Sequence, residues 1–121
     1  MSIINSQMIK TINYAIHPLL QFKTLFKFIK NEDYAIKHSM FFDSSIGSHV
    51  RHSFDHYNTV LENYGDKTLF TYDKRKRETF IETDINAGLN ECENIIKQLS
   101  SQNILNNNIN SGIYLYIYYN L

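Results

Sequence analysis

Apolar residues between positions 9 and 29 recur at the spacing of an amphipathic helix. They are separated by steps of three and four, with lysines at intervening positions: Ile9, Ile12, Ile16, Leu19, Phe22, Phe26 and Ile29. This spacing predicts one buried helix face. Pro18 interrupts the pattern, and because proline lacks a backbone N–H and disfavours helical geometry in the preceding residue, it predicts a kink or a helix that begins at Pro18. Residues 31–33 are predicted to end this helix, and residues 34–43 to form a connection.

A second apolar stripe follows three good N-cap residues, Asp43, Ser44 and Ser45. Its members also recur at helical spacing: Ile46, Val50, Phe54, Tyr57, Val60 and Leu61. The pattern predicts a helix that begins within a few residues of Ser45. It should end near Gly65, because glycine is the usual residue for a left-handed helix stop.

A third helix is predicted within residues 81–99, with Thr83 or Asp84 as a plausible N-cap. Its apolar residues are separated by steps of three and four: Ile81, Ile85, Leu89, Cys92, Ile96 and Leu99. Residues 67–80 show no helical period, and several of them favour extended backbone. Residues 102–121 are rich in asparagine and tyrosine and do not resemble a fourth amphipathic helix.

The patterns together predict an all-α antiparallel bundle of three main helices within residues 1–101, followed by an irregular low-complexity tail over residues 102–121. Three amphipathic helices leave an apolar groove where a fourth would pack. We expect the tail segment 113–119 or a second copy of the chain, and hence a homodimer, to cover that groove.

Composition narrows the class of partner. The 121 residues include 12 basic and 12 acidic side chains, so a formal net charge of zero supports neither nucleic acid nor an anionic membrane as partner. The single cysteine, Cys92, excludes an internal disulfide framework and fits a reducing compartment. No secretory signal is evident, and no apolar run approaches the roughly 20 residues of a membrane-spanning helix. We therefore expect a cytoplasmic protein.

Three of the five histidines fall within eight residues of the second helix: His49, His52 and His56. At roughly 100° per residue they lie within an arc of about 60°, beside the apolar stripe, where the core should meet a cleft or solvent. Neighbouring pairs could chelate one metal ion. The outer pair is separated by about 10.5 Å of helix rise, so a complete zinc site needs a ligand from elsewhere. The competing interpretation is a stripe of histidines that packs beside the core and hydrogen-bonds to its neighbours.

The segment 44–57, S-S-I-G-x-H-V-R-H-x-x-D-H-Y, resembles the second-helix signature of the DinB-like (DinB/YfiT) superfamily of metal-dependent four-helix bundles. Segments 72–77 and 81–84 resemble that family's Y-D-x-R-x-R and I-E-T-D, so the likeness extends from about Ile12 to Leu99. It implies an up-down-down-up bundle and a divalent metal, zinc or nickel-like, with further histidine ligands on the fourth helix. No histidine follows His56. We therefore expect an incomplete site, in a chain truncated before the fourth helix.

Other residues could supply the missing ligand, although their spacing does not distinguish among them: His17, His38, Glu82, Asp84 and Cys92. Cys92 lies on the apolar stripe of the third helix and is predicted to be a core residue. Asp55 is predicted to pair with Arg51, four residues earlier. Arg75 and Arg77 share one side of an extended segment. They could bind an anionic substrate, or they could pair with acidic side chains nearby.

Two functional hypotheses follow. The first is a divalent-metal-binding bundle, with His52 the best single ligand and His49 and His56 its helpers. Its metal would serve hydrolysis or group transfer on an unknown small molecule, and the sequence identifies no catalytic residue. The second is a non-catalytic, degenerate bundle that acts through protein association.

Overall fold

A computed structural model describes residues 3–64 and 80–101, and within those ranges the protein is an all-α helical bundle. The helices are α1 (Ile3–Phe28), α2 (Asn31–Ala35), α3 (Ile46–Tyr64) and α4 (Ile85–Ser100), with a single 3₁₀ turn at Ser39–Phe41. Helix α4 packs against both α1 and α3, and α2 packs against α3. The predictions for residues 65–79 and 102–121 lie outside the described residues.

Helix α1 continues through Pro18, so of the two predicted outcomes a start at Pro18 is wrong, and a kink there stays a prediction. The proline costs the helix about 3 kcal/mol, a penalty that burial of Ala15, Leu19 and Phe26 on one face can outweigh. The backbone on either side of Pro18 also receives hydrogen bonds from other helices. The Tyr57 hydroxyl donates to the Ala15 carbonyl at 2.6 Å, and the Cys92 thiol donates to the Leu19 carbonyl at 3.1 Å.

The segment between α1 and α3 is more ordered than the predicted connection, because residues 31–35 form α2. Its buried residue is Tyr34, which is fully shielded from solvent. The Tyr34 ring meets Phe26 edge-on at a centroid distance of 5.8 Å, and its hydroxyl donates to the Ile81 carbonyl at 2.5 Å. A five-residue helix is too short to show a hydrophobic period, so the sequence pattern does not reveal it.

The N-termini of α3 and α4 have side-chain caps. The Ser45 hydroxyl accepts from the Ser48 amide at 3.0 Å, which confirms one of the three predicted caps. Asp84 caps α4 by accepting from the Asn86 amide at 2.9 Å. The Asn31 side chain accepts from the Ile85 amide at 2.9 Å, so α2 supplies a second cap to α4. Helix α4 therefore begins at Ile85, directly after Asp84, which confirms one of the two predicted N-caps.

The core is formed by one face of each long helix. The α3 stripe is confirmed, with Ile46 partly buried and its other members fully buried. The buried face of α4 differs from the prediction, since Ile85, Leu89 and Ile96 are only partly buried. The residues that face the core directly are Gly88, Glu91, Cys92, Ile95, Gln98 and Leu99. Cys92 is thus confirmed as a core residue.

As residue numbers rise along α1, the residue numbers of its contact partners fall along both α3 and α4. Along α1, Ala15 bonds to Tyr57 and Phe22 packs edge-on against Phe54 at 5.5 Å, so the α3 partners come in reverse order. Leu19 accepts from Cys92 in α4, and Phe26 lies beside Gly88.

The backbone of α3 approaches the turn before α4 very closely at Gly47. A Cβ atom at this position would lie 1.9 Å from the Glu82 carbonyl oxygen and 2.9 Å from the Tyr34 ring. Real Cβ atoms do not make contacts this short. Glycine is therefore required here by space, not by an unusual φ angle.

The segment 38–44, which we call the apolar loop, displays two large hydrophobic side chains to solvent. An isolated bridge between His38 and Ser44 closes its base. Met40 is 87% exposed and Phe42 is 96% exposed. Phe42 and Asp43 have φ angles of 54° and 60°, a left-handed conformation that costs roughly 1–2 kcal/mol in a residue with a side chain.

Replacing Tyr34 by phenylalanine should lower the free energy of unfolding by about 1–3 kcal/mol, because the buried Ile81 carbonyl loses its donor while the ring packing is kept. Denaturant unfolding of the two proteins measures this difference. Tyr14→Phe, at a 73% exposed position, is the matched control and should be neutral. A neutral Tyr34→Phe would mean that this hydrogen bond does not hold α2 in place.

Gly47→Ala should destabilise the protein, because α3 or the 81–84 turn must move to admit the new carbon. We expect a loss of about 1–3 kcal/mol, in the range typical of overpacking. Ser53→Ala, at a half-buried position on the same helix, serves as the control for helix propensity. Equal melting temperatures for the two variants would contradict the close approach.

Candidate metal site on helix α3

The structure brings His52 and His56 together on successive turns of α3. Their Nε2 atoms are 3.2 Å apart, and the ring centroids are 4.6 Å apart at an interplanar angle of 80°. His52 is exposed and His56 is half-buried. The pair is therefore held by a regular helix at its outer surface, where solutes can reach it.

Two kinds of interaction fit the 3.2 Å separation. One is a hydrogen bond between neutral rings, in which one Nε2 carries the proton and the other accepts it. The other is a shared metal ion. With Zn–N bonds of about 2.05 Å, two nitrogens at this separation subtend an angle of about 100° at zinc, close to the tetrahedral value. The donor pair therefore fits a divalent transition metal.

His49 lies on the same side of α3, one turn before His52, and is exposed. Of the two predicted surroundings, a cleft or solvent, the exposure of His49 and His52 agrees with solvent. Within residues 3–64 and 80–101, no group of three or more histidine, cysteine or acidic side chains is arranged to hold a metal ion. His52 and His56 are in short contact.

An ion-pair network lies beside the histidines on α3. Arg51 pairs through Nη1 with Asp55 at 3.5 Å, as predicted, and through Nε with Glu82 in the turn before α4. The sequence pattern did not predict the pairing of Arg51 with Glu82, because the two residues are 31 positions apart and belong to different elements. All three side chains are about one-third exposed, so each pair stabilises the fold by no more than about 1 kcal/mol. The network draws the first turns of α3 toward the 81–84 turn.

The other candidate ligands have different surroundings. Glu82 is engaged by Arg51, and Asp84 caps α4. Cys92 is fully buried, and burial raises the pKa of its thiol to about 12. His17 borders an open depression of about 440 Å³ on α1, and His38 belongs to the base of the apolar loop.

The two arginines predicted to bind an anion, Arg75 and Arg77, lie outside the described residues.

Two buried tyrosines have raised pKa values. The pKa of Tyr34 rises because of burial and, to a smaller extent, because of the negative charges of Glu82 and Asp84. The pKa of Tyr57 rises for the same main reason. Both phenols therefore remain protonated donors to backbone carbonyls and are unsuited to acid–base work near neutral pH.

The Cys92 thiol should be inert in the folded protein. Its pKa is raised from 9.0 to about 12, so the unfolded chain releases this proton first. The thiol's contribution to stability is complete below about pH 9 and is lost as the pH rises toward 12. An aromatic disulfide reagent at pH 8 should label the protein only after guanidinium is added. Rapid labelling of folded protein would contradict the buried position.

None of the helices in the described ranges has the length and apolarity needed to cross a bilayer. Comparison of the whole chain with protein-family models, with curated proteins and with solved structures found no match in any of the three.

Proposed function

We propose that this protein is a helical bundle of DinB-like type that binds a divalent transition metal through His52 and His56. The observation that carries the proposal is the 3.2 Å separation of the two Nε2 atoms. Imidazole nitrogen suits zinc, nickel and copper, and two residues four apart on a helix form a ready-made chelate.

The arrangement of the helices supports the DinB-like type. The reversed order of the α1 contacts along α3 and α4 is expected when α1 runs opposite to both helices. That direction pattern is the up-down-down part of the resembled topology. The motif residues also fall together, since segment 44–57 covers the cap and the first three turns of α3.

The chemistry of the site depends on how many coordination positions the protein occupies. When bound, a divalent metal with open positions would polarise a substrate oxygen or lower the pKa of a bound water. The chain's own contribution is to hold the two imidazoles on a rigid helix, with solvent access at His52. Arg75 and Arg77 remain the proposed anion-binding residues for a small-molecule substrate.

Metal-independent association is the second candidate function, and the apolar loop favours it. Met40 and Phe42 are almost fully exposed, and Phe42 is kept there despite its unfavourable backbone conformation. Aromatic and methionine side chains are enriched at protein interfaces. In this interpretation the occupant is a second copy of the chain, and a chelator would not separate the copies.

Calorimetric titration of the tag-free chain with zinc and with nickel tests the metal proposal. Binding should be measurable, should weaken at acid pH because protons compete for the imidazoles, and should be largely lost in His52→Gln and His56→Gln. His17→Gln removes a histidine from the exposed surface of α1 and should bind as the parent does. Unchanged binding in both α3 variants would show that other residues hold the metal.

A further inference from the structure

We propose that the depression on α1 binds a small organic phosphate, in which a planar ring carries the phosphate group. The described side chains that border the depression come from one helix: Lys10, Asn13, Tyr14 and His17. This inference is independent of the metal proposed for α3, since all four residues lie on α1. It assigns a ligand of stated chemistry to the exposed face of α1.

The spacing of the four residues places them on one side of α1. At roughly 100° per residue, positions 10, 13, 14 and 17 lie within an arc of about 100°. The first and the last are separated by about 10.5 Å of helix rise. All four are exposed, whereas Ala15 and Leu19 bury the opposite face of the helix in the core. The core therefore fixes the rotation of α1 and keeps this face toward solvent.

The chemistry of the four side chains suits a phosphate. Lysine, asparagine, histidine and tyrosine all supply hydrogen-bond donors, and Lys10 adds a positive charge. Among the described residues that border the depression, none is acidic. A phosphate group presents three strong acceptor oxygens and carries about −1.5 to −2 charges at pH 7. Its oxygens can therefore accept from several of these side chains at once.

Tyr14 extends the recognition from the phosphate to the rest of the ligand. Its side chain is 73% exposed, so a face of the ring is open to a planar group. Aromatic rings attract each other in offset-stacked or edge-to-face arrangements. The volume of the depression, about 440 Å³, lies within the range of roughly 300–1,000 Å³ that is typical of ligand pockets. An inorganic phosphate ion would leave most of this space empty, whereas a ring with a phosphate would occupy more of it.

The distribution of charge along the chain favours an anion at this position. Although the formal net charge is zero, residues 1–31 contain four lysines and no acidic residue, and residues 32–121 contain 8 basic and 12 acidic residues. On α1, Lys23 is paired with Glu93 at 3.6 Å. Across residues 3–64 and 80–101, no carboxylate is paired with Lys10. Its charge is therefore available to a ligand.

An NMR chemical-shift titration of the tag-free full chain tests the proposal. A chelator is present throughout, so that bound metal does not contribute. The probe is phenyl phosphate, which joins one ring to one phosphate. We expect saturable shift changes that cluster at residues 10–17 and that weaken as salt is added, because salt screens charges at an open site. Phenol and inorganic phosphate each carry half of the probe's chemistry, so each should bind at least about 3-fold more weakly.

Variants of the exposed face identify the residues that hold the ligand. Lys10→Gln and His17→Ala should each weaken binding of phenyl phosphate by about 3- to 10-fold, because each removes a donor. Lys10→Arg keeps the charge and should bind as the parent does. Tyr14→Ala should bind phenyl phosphate no more tightly than inorganic phosphate. Lys27→Gln is the matched control, since it removes an exposed lysine about 25 Å further along the same helix, and it should not change binding.

Several results would overturn the phosphate site. One is the absence of saturable shift changes, and another is an equal response to phenol and phenyl phosphate, which would show a ring contact without anion recognition. Tighter binding of benzoate than of phenyl phosphate would show that the site prefers a carboxylate. Loss of binding in Arg75→Gln with Arg77→Gln, but not in Lys10→Gln, would place the anion on the basic segment. None of these results affects the calorimetric test with zinc and nickel, so the two proposals fail separately.

Discussion

The burial of Tyr34 against the 81–84 turn is the interaction on which the arrangement of the helices depends. Its ring packs edge-on against Phe26, and its hydroxyl lies beside Gly88 and donates to the Ile81 carbonyl. Because that turn directly precedes α4, the contact links α2 to the start of α4. The Asn31 cap on Ile85 and the close approach of Gly47 to Glu82 strengthen the same junction. Three helices thus meet at one short length of backbone.

This junction explains part of the sequence motif in residues 44–57. Ser45 caps α3, Gly47 admits the Glu82 carbonyl, and Arg51 pairs with the Glu82 carboxylate. All three act where α3 meets the turn before α4. The histidines follow on the outer side of the same helix, so the motif combines a packing junction with a surface feature. The packing junction contributes to stability independently of the histidines on the surface.

The histidine pair has a simple physical basis. Residues four apart on a helix are neighbours, and a well-packed helix holds them there without help from other elements. The apolar face of α3 is buried in the core, which fixes the rotation of the helix and directs His52 outward. The geometry of the pair therefore follows from this one helix and its packing.

Local pattern was sufficient for much of this protein. The repeat of apolar residues predicted three long helices, the cap at Ser45, the buried Cys92 and the shared side of the histidines. These features depend on spacing along one helix, which the sequence states directly. The pairing of Arg51 with Asp55 belongs to the same class.

Tertiary structure decided the features that depend on distant parts of the chain. Helix α1 continues through Pro18 because its neighbours bury one face and donate to its carbonyls. Residues 31–35 form α2 because Tyr34 is buried and donates a hydrogen bond to the Ile81 carbonyl. Glu82 pairs with Arg51, which lies 31 residues earlier in the chain. The buried face of α4 centres on Gly88, Cys92 and Ile95. Gly88 belongs to it because the Phe26 ring and the Tyr34 hydroxyl pack against the position that a side chain would occupy. The periodicity of one helix does not predict these partners, because each contact joins distant segments that meet only when the chain folds.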